Sequence, residues 1–79
     1  IQTKKIIFKT NKHIQIKHNA LESLKIISNE KNEICISFEK NKTNIEEIIN
    51  LIKKDGAKIE DISTDDVDLE DVFLLLTKN

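Results

Sequence analysis

The chain has 79 residues, 13 of them basic and 14 acidic, so its formal net charge is −1. A chain of this length forms one domain with a small hydrophobic core. Every basic residue is lysine and 4% of the residues are aromatic, whereas nucleic-acid surfaces rely on arginine forks and stacking rings. We therefore expect no nucleic-acid partner. Cys35 is the single cysteine, which excludes an internal disulfide, and no apolar run reaches the roughly 18 residues of a membrane-spanning helix.

The first 24 residues predict a strand, a connection and a short helix. Residues 4–10 alternate as a strand does, with Ile6, Phe8 and Thr10 on one face. Residues 13–17 alternate again, and this pattern fits either a hairpin partner or an extended connection. Asn19 has the spacing to Glu22 of a capping box, so we expect a helix of about two turns to begin there.

Two strands joined by a polar turn are predicted next. Residues 25–28 form a short strand, residues 29–32 the turn, and residues 33–39 a clearly alternating strand. In this third strand Ile34, Ile36 and Phe38 should face the core. Cys35 then lies on the other face, half exposed, and is expected to be a bystander rather than a nucleophile.

A second helix and a fourth strand follow. Thr43 and Glu46 have capping-box spacing, and Gly56 suits the left-handed position just after a helix. Residues 57–63 predict a strand whose isoleucines break alternation, which indicates a bulge or an edge. The helix has basic residues in its last turn and one apolar stripe, formed by Ile45, Ile48, Ile49 and Ile52.

The last predicted element is a closing helix near the C-terminus. Asp68 is a suitable N-cap, and Glu70 and Asp71 place negative charge at the positive end of the helix dipole. Leu69, Val72, Phe73 and Leu76 make one apolar stripe, with Leu74 almost opposite. The order strand, helix, strand, strand, helix, strand, closing helix predicts an α+β fold, a ferredoxin-like βαββαβ sandwich with an additional C-terminal helix.

The closing stretch resembles a known family. Ile59–Ser63, then a short acidic run and Leu69–Thr77, is similar to the end of many ATP-binding subunits of bacterial and archaeal ABC transporters of the exporter type. Their C-terminal accessory domain typically ends in "sLEDvFlxLT". Asp68 replaces the usual serine, and both residues cap helices. The resemblance implies an interaction role for the matched residues, Leu69, Glu70, Asp71, Val72, Phe73, Leu74, Leu76 and Thr77.

This resemblance implies a non-catalytic module that regulates or stabilises the dimer of the parent ATPase. The parent would hydrolyse ATP with magnesium and drive export through a separate membrane permease subunit, which implies a cytoplasmic position at the inner face of the membrane. Its ATPase domain would lie upstream of Ile1, a position at which the chain lacks Met. The expected partners are that domain, a second ATPase subunit and, indirectly, the permease. The alternative is a regulatory domain of ferredoxin-like fold that senses a small ligand.

No catalytic, cofactor or metal site is predicted within residues 1–79. A P-loop needs several glycines, and Gly56 is the only one. His13, His18 and Cys35 match no zinc-ligand spacing. The seven carboxylates between Glu60 and Asp71 lack the glycine of a calcium loop and are read as a solvated loop with a helix cap. Asn41-Lys42-Thr43 fits a glycosylation sequon, and is read more simply as a loop.

Overall fold

The computed structural model describes residues 3–17 and 19–64, which form four strands and one helix in a single antiparallel α+β arrangement. The strands lie side by side in the order β2-β3-β1-β4. This architecture is compatible with a ferredoxin-like fold. The predicted closing helix lies outside the described residues. The elements are β1 (Thr3–Thr10), β2 (Lys25–Glu30), β3 (Glu33–Glu39), α1 (Ile45–Lys54) and β4 (Ile59–Ser63).

The core lies between one face of the sheet and α1. β1 and β3 pair at the centre of the sheet, with Ile6 opposite Ile36 and Phe8 opposite Ile34. These four side chains are at most 1% exposed. The predicted faces of both strands are confirmed, since Phe38 and Thr10 are also buried. From α1 the core receives Ile48, Ile49 and Ile52, with Ile45 partly buried beside them.

The predicted helix beginning at Asn19 is wrong. Two isolated turns occupy this stretch, with the N–H of Ala20 donating to the Lys17 carbonyl (3.1 Å) and that of Leu24 to the Leu21 carbonyl (3.3 Å). Ser23 has a φ of 66°, in the left-handed region, which a continuing α-helix excludes. So short a segment gains little from helix propagation. Contacts with the rest of the domain therefore determine the backbone conformation of residues 19–24.

Residues 13–17 form an extended connection rather than a hairpin partner. They have no place in the strand ladders of the described chain. Ile14 is 1% exposed within the core, and its carbonyl accepts a hydrogen bond from the Asn29 side chain (2.9 Å). The buried Ile14 side chain therefore ties this connection to the core, and the hydrogen bond from Asn29 ties it to β2.

The capping box of α1 begins one residue later than predicted. Asn44 is the N-cap: its side-chain oxygen accepts from the Glu47 N–H (2.9 Å), and the Asn44 N–H donates to the Glu47 carboxylate (3.2 Å). Thr43 is buried and has another role, described below. At the other end, Gly56 has a φ of +87° and its N–H bonds to the Lys53 carbonyl, which confirms the predicted left-handed position.

Two bulges shape the outer strands. Among the described strands, β4 pairs with β1 alone and therefore lies at an edge of the sheet. Its register shifts between Lys9 and Thr10, which confirms the predicted irregularity, although β4 begins at Ile59 rather than at residue 57. β2 extends to Glu30, beyond the predicted residue 28, and its register against β3 shifts at Ile27. Such bulges re-aim side chains at sheet edges.

Replacing Asn44 with Ala should destabilise the protein by about 1 kcal/mol, because the first turn of α1 loses its acceptor. Glu46→Ala is the control, since the reciprocal bond comes from Glu47. The free energy of unfolding from urea titrations measures both variants. Equal effects, or a larger effect of Glu46→Ala, would contradict the observed cap.

Candidate functional site: the open face of the sheet

The residues that carry the family resemblance are only partly described. Residues 69–77 lie outside the described part of the chain. Their interaction role therefore stays a prediction. Ile59–Ser63, the upstream part of the resemblance, forms β4. Its Ile62 is buried in the core and Ile59 packs against it. Just after β4, the Thr64 hydroxyl donates a hydrogen bond to the Lys5 carbonyl, so the chain leaves the sheet beside β1.

The described elements outside the sheet, α1 and the connection 11–24, both lie on the core face of the sheet. Ile14 and Leu24 of the connection share one buried cluster with the isoleucines of α1. The Gln15 N–H also donates to the carboxylate of Asp55, the C-cap of α1 (3.2 Å). Strand alternation directs every second side chain to the opposite face. We call that face the open face; by register it carries Thr3, Lys5, Ile7, Lys9, Lys25, Ser28, Glu30, Glu33, Cys35, Ser37, Glu39, Asp61 and Ser63.

Charge divides the open face into two ends and a middle. At the end where β1 begins, Ser37 lies between Lys5 and Lys25 in the strand register, and Glu39 lies opposite Thr3. In the middle, Ile7 is opposite both Cys35 and Ser63. At the far end three carboxylates surround one lysine, in the row Asp61, Lys9, Glu33 and Glu30. With two lysines and one carboxylate, the first end is weakly basic; the middle is weakly polar and the far end is mainly acidic.

Burial on the open face is unequal. Ser37 is 6% exposed, although the predicted alternation correctly placed it away from the core. Ile7 and Cys35 are half-buried, whereas Ile27, at the β2 bulge, is 53% exposed. Periodicity alone could not have revealed the burial of Ser37, because a serine that alternates with core-facing Ile36 and Phe38 reads as a solvent-facing position.

The residues considered for metal chemistry are not brought together in the described part. His13 Nδ1 lies 2.7 Å from the Lys31 carbonyl oxygen, and His13 Nε2 is 3.3 Å from the Gln15 side chain. Cys35 is a free thiol in the middle of the open face. Within residues 3–17 and 19–64 there is no group of three or more His, Cys, Asp or Glu side chains able to hold a metal ion.

A hydrogen-bond chain that the sequence did not predict joins three segments. The Glu39 N–H donates to Ser23 Oγ (3.0 Å), and Ser23 Oγ lies 3.1 Å from Thr43 Oγ1. The Thr43 hydroxyl in turn contacts the Glu22 carbonyl. The threonine of the Asn41 sequon is therefore 2% exposed and internally bonded. This clamp ties the connection to the end of β3 and the start of α1.

Comparisons with known proteins give no match: no family model, no curated protein and no solved structure matches this chain. In the part of the chain that the structure describes, no helix combines the length and the apolar character needed to cross a membrane.

Thr43→Val should lower the free energy of unfolding by about 1–3 kcal/mol, because the Glu22 carbonyl and the Ser23 hydroxyl lose a buried partner. Thr3→Val, at an exposed position of β1, is the matched control and should change stability by less than about 0.5 kcal/mol. Urea midpoints of the two variants measure the difference. If Thr43→Val is as stable as Thr3→Val, the hydrogen bonds that join Glu22, Ser23 and Thr43 contribute nothing to the free energy of unfolding.

Proposed function

We propose that this chain is a non-catalytic accessory domain of an ABC transporter ATP-binding subunit of the exporter type. The observation that carries the proposal is the closing motif Leu69–Thr77, which follows the strand Ile59–Ser63 at the spacing of that family. In the parent, ATP hydrolysis by a dimer of ATPase domains powers export through a membrane permease. The accessory domain regulates or stabilises that dimer at the inner face of the membrane.

The proposal also includes the fold of the domain, a ferredoxin-like sandwich with an additional C-terminal helix. The sheet order β2-β3-β1-β4 and the helix between β3 and β4 support a ferredoxin-like sandwich. The connection 11–24 takes the place of the first helix, and the closing helix is the addition. In this fold the domain contributes a rigid surface to a larger subunit and holds no nucleotide of its own.

Contact with the ATPase domain is proposed to involve Leu74. Advancing about 100° per residue puts Leu74 roughly 150° from the centre of the stripe formed by Leu69, Val72, Phe73 and Leu76. A helix that buries this stripe presents Leu74 on its outer side. There the leucine is available to the upstream domain or to the second subunit, and it has no role in folding the isolated domain.

The isolated domain should neither bind nor hydrolyse ATP. Its one glycine ends α1, and a phosphate cradle needs successive backbone N–H groups that glycines leave accessible. Calorimetric titration with Mg-ATP should give no saturable heat, with a full-length ATPase subunit as the positive control. Binding at micromolar ATP would overturn the non-catalytic assignment.

Leu74→Lys should change the stability of the isolated domain by no more than about 0.5 kcal/mol, as at an ordinary surface site. In the full-length subunit it should weaken dimerisation and reduce ATP turnover. Asn50→Lys, at an exposed position of α1, adds the same charge elsewhere and should leave both unchanged. Sedimentation and ATPase assays test this, and wild-type assembly and turnover in Leu74→Lys would remove the proposed contact.

A further inference from the structure

We propose that the domain docks on a membrane surface that carries anionic phospholipids, through five lysines gathered around the C-terminal end of α1. We call these residues the lysine patch: Lys12, Lys17, Lys53, Lys54 and Lys58. The groups that they recognise are the negative charges of the lipid headgroups. The proposal uses only residues that the structure describes, and it does not rest on the proposed function.

Short contacts bring the first three of these lysines together. Lys53 and Lys54 lie in the last turn of α1. Lys12 comes from the connection 11–24, and its Nζ lies 3.1 Å from the point that a Cβ of Gly56 would occupy. The Gly56 N–H bonds to the Lys53 carbonyl (2.9 Å). The Lys12 ammonium group therefore lies at the end of α1.

Lys58 and Lys17 lie beside the same helix end. The Lys58 N–H donates to the Asn11 side chain (2.8 Å), and the Asn11 N–H donates to the Lys58 carbonyl (3.0 Å). These two bonds hold Lys58 next to the segment that contributes Lys12. Lys17 lines a groove together with Lys54. Three separate parts of the chain thus supply one patch.

The lysine patch keeps a positive charge after its neighbours are counted. Asp55, the C-cap of α1, contributes one carboxylate, which accepts the Gln15 N–H (3.2 Å). The negative end of the helix dipole contributes about half a charge. Five lysines less this carboxylate and the dipole leave roughly +3.5. All five are exposed, and none forms an ion pair with a carboxylate of residues 3–17 or 19–64.

Other carboxylates near this end of the sheet form a separate group. Glu60 follows Lys58 by two residues in the chain. It lines another hollow with two further carboxylates and two lysines, so the formal charge there is −1; these residues are Glu30, Glu33, Lys9 and Lys31. That hollow offsets only part of the charge of the lysine patch.

Helix stability explains only part of the lysine patch. Lys53 and Lys54 interact favourably with the negative end of the dipole of α1, as basic residues commonly do in a last turn. The other three lysines lie outside the helix. Their position around its end is therefore not a capping effect, and it enlarges the positive surface.

The groove between Lys17 and Lys54 has an apolar floor. Its volume is about 380 Å³, and its apolar lining residues, all partly exposed, are Ile16, Ala20 and Leu51. A lipid presents a charged headgroup next to apolar glycerol and acyl carbons, and membrane-surface proteins match this with basic groups beside apolar ones. The basic rim and apolar floor therefore suit a lipid surface.

The residue types favour a lipid surface over a nucleic acid. The chain contains no arginine, the residue whose planar fork binds phosphate through two parallel hydrogen bonds. No aromatic ring lines the groove, whereas single-stranded nucleic acids stack their bases on such rings. A lysine acts as a point charge, and each one near an anionic bilayer strengthens binding about fivefold.

Sedimentation of the full chain with lipid vesicles tests the docking. Vesicles of phosphatidylcholine with about one third phosphatidylserine should bind the chain at low salt, because their surface is anionic. Vesicles of phosphatidylcholine alone should not bind it. Salt at about 0.5 M should abolish the binding, because exposed charges are then screened over a few ångströms.

A double variant locates the binding charge. Lys17→Gln combined with Lys58→Gln should lower the partition coefficient about 25-fold, at fivefold for each lysine. The matched control, Lys25→Gln with Lys40→Gln, has the same net charge and changes exposed lysines at the opposite end of the sheet. It should lower binding less than about twofold. The amide spectrum confirms that both variants are folded.

Bicelles that contain phosphatidylserine and a nitroxide-labelled lipid show which surface faces the bilayer. Amide signals of residues 12–17 and 53–58 should lose the most intensity, because they surround the lysine patch. Signals of residues 37–42, at the other end of the sheet, should be affected least. Loss that is uniform, or strongest in residues 37–42, would contradict the proposed orientation.

Four other results would overturn the proposal. The wild-type chain could fail to bind anionic vesicles, or it could bind neutral vesicles equally well, which indicates apolar adsorption. The two double variants could lose binding equally, which indicates an effect of net charge alone. Binding to a DNA duplex that depends on the lysine patch, without binding to vesicles, would identify nucleic acid as the partner.

Discussion

The structure depends on the central pairing of β1 with β3. This ladder sets Ile6 and Phe8 against Ile36 and Ile34 and supplies the floor on which α1 packs. Full burial of a large aliphatic or aromatic side chain contributes about 1.5–3 kcal/mol. Both outer strands depend on this ladder as well, because β2 pairs with β3 and β4 pairs with β1.

Packing on one side of that ladder explains the irregular parts of the chain. The space beside α1 is filled by the connection 11–24, which contributes Ile14 and Leu24 to the core without forming a helix. The Ser23–Thr43 hydroxyl pair and the Asn29 amide fix the connection at its two ends. Polar bonds therefore do the positioning that a regular helix would otherwise provide.

The sequence predicted the parts of the fold that local signals determine. Strict alternation located β3 at its observed bounds, and the isoleucine stripe and Gly56 located α1. The helix predicted at Asn19 failed because its capping signal also suits a turn, and tertiary bonds outweigh the propensity of so short a segment. The capping box was misplaced by one residue because Thr43 and Asn44 both suit an N-cap and both have a glutamate three residues later.

The candidate site was predictable only as separate residues. Alternation put Cys35 and Ser37 on the face away from the core, yet periodicity carries no information about strand order. The basic and acidic ends of the open face arise from the registers of three strand pairs. That arrangement needed the structure, whereas the resemblance from which the function is proposed was found in the sequence alone.

The central functional claim is that this domain follows an ATPase domain in one polypeptide. Reading the coding sequence upstream of Ile1 tests this claim most directly. If the proposed function is right, that upstream sequence encodes a P-loop of the form Gly-x-x-x-x-Gly-Lys-Ser/Thr, then Leu-Ser-Gly-Gly-Gln and an Asp-Glu pair. An upstream sequence without these motifs, or a start codon immediately before Ile1, would contradict it.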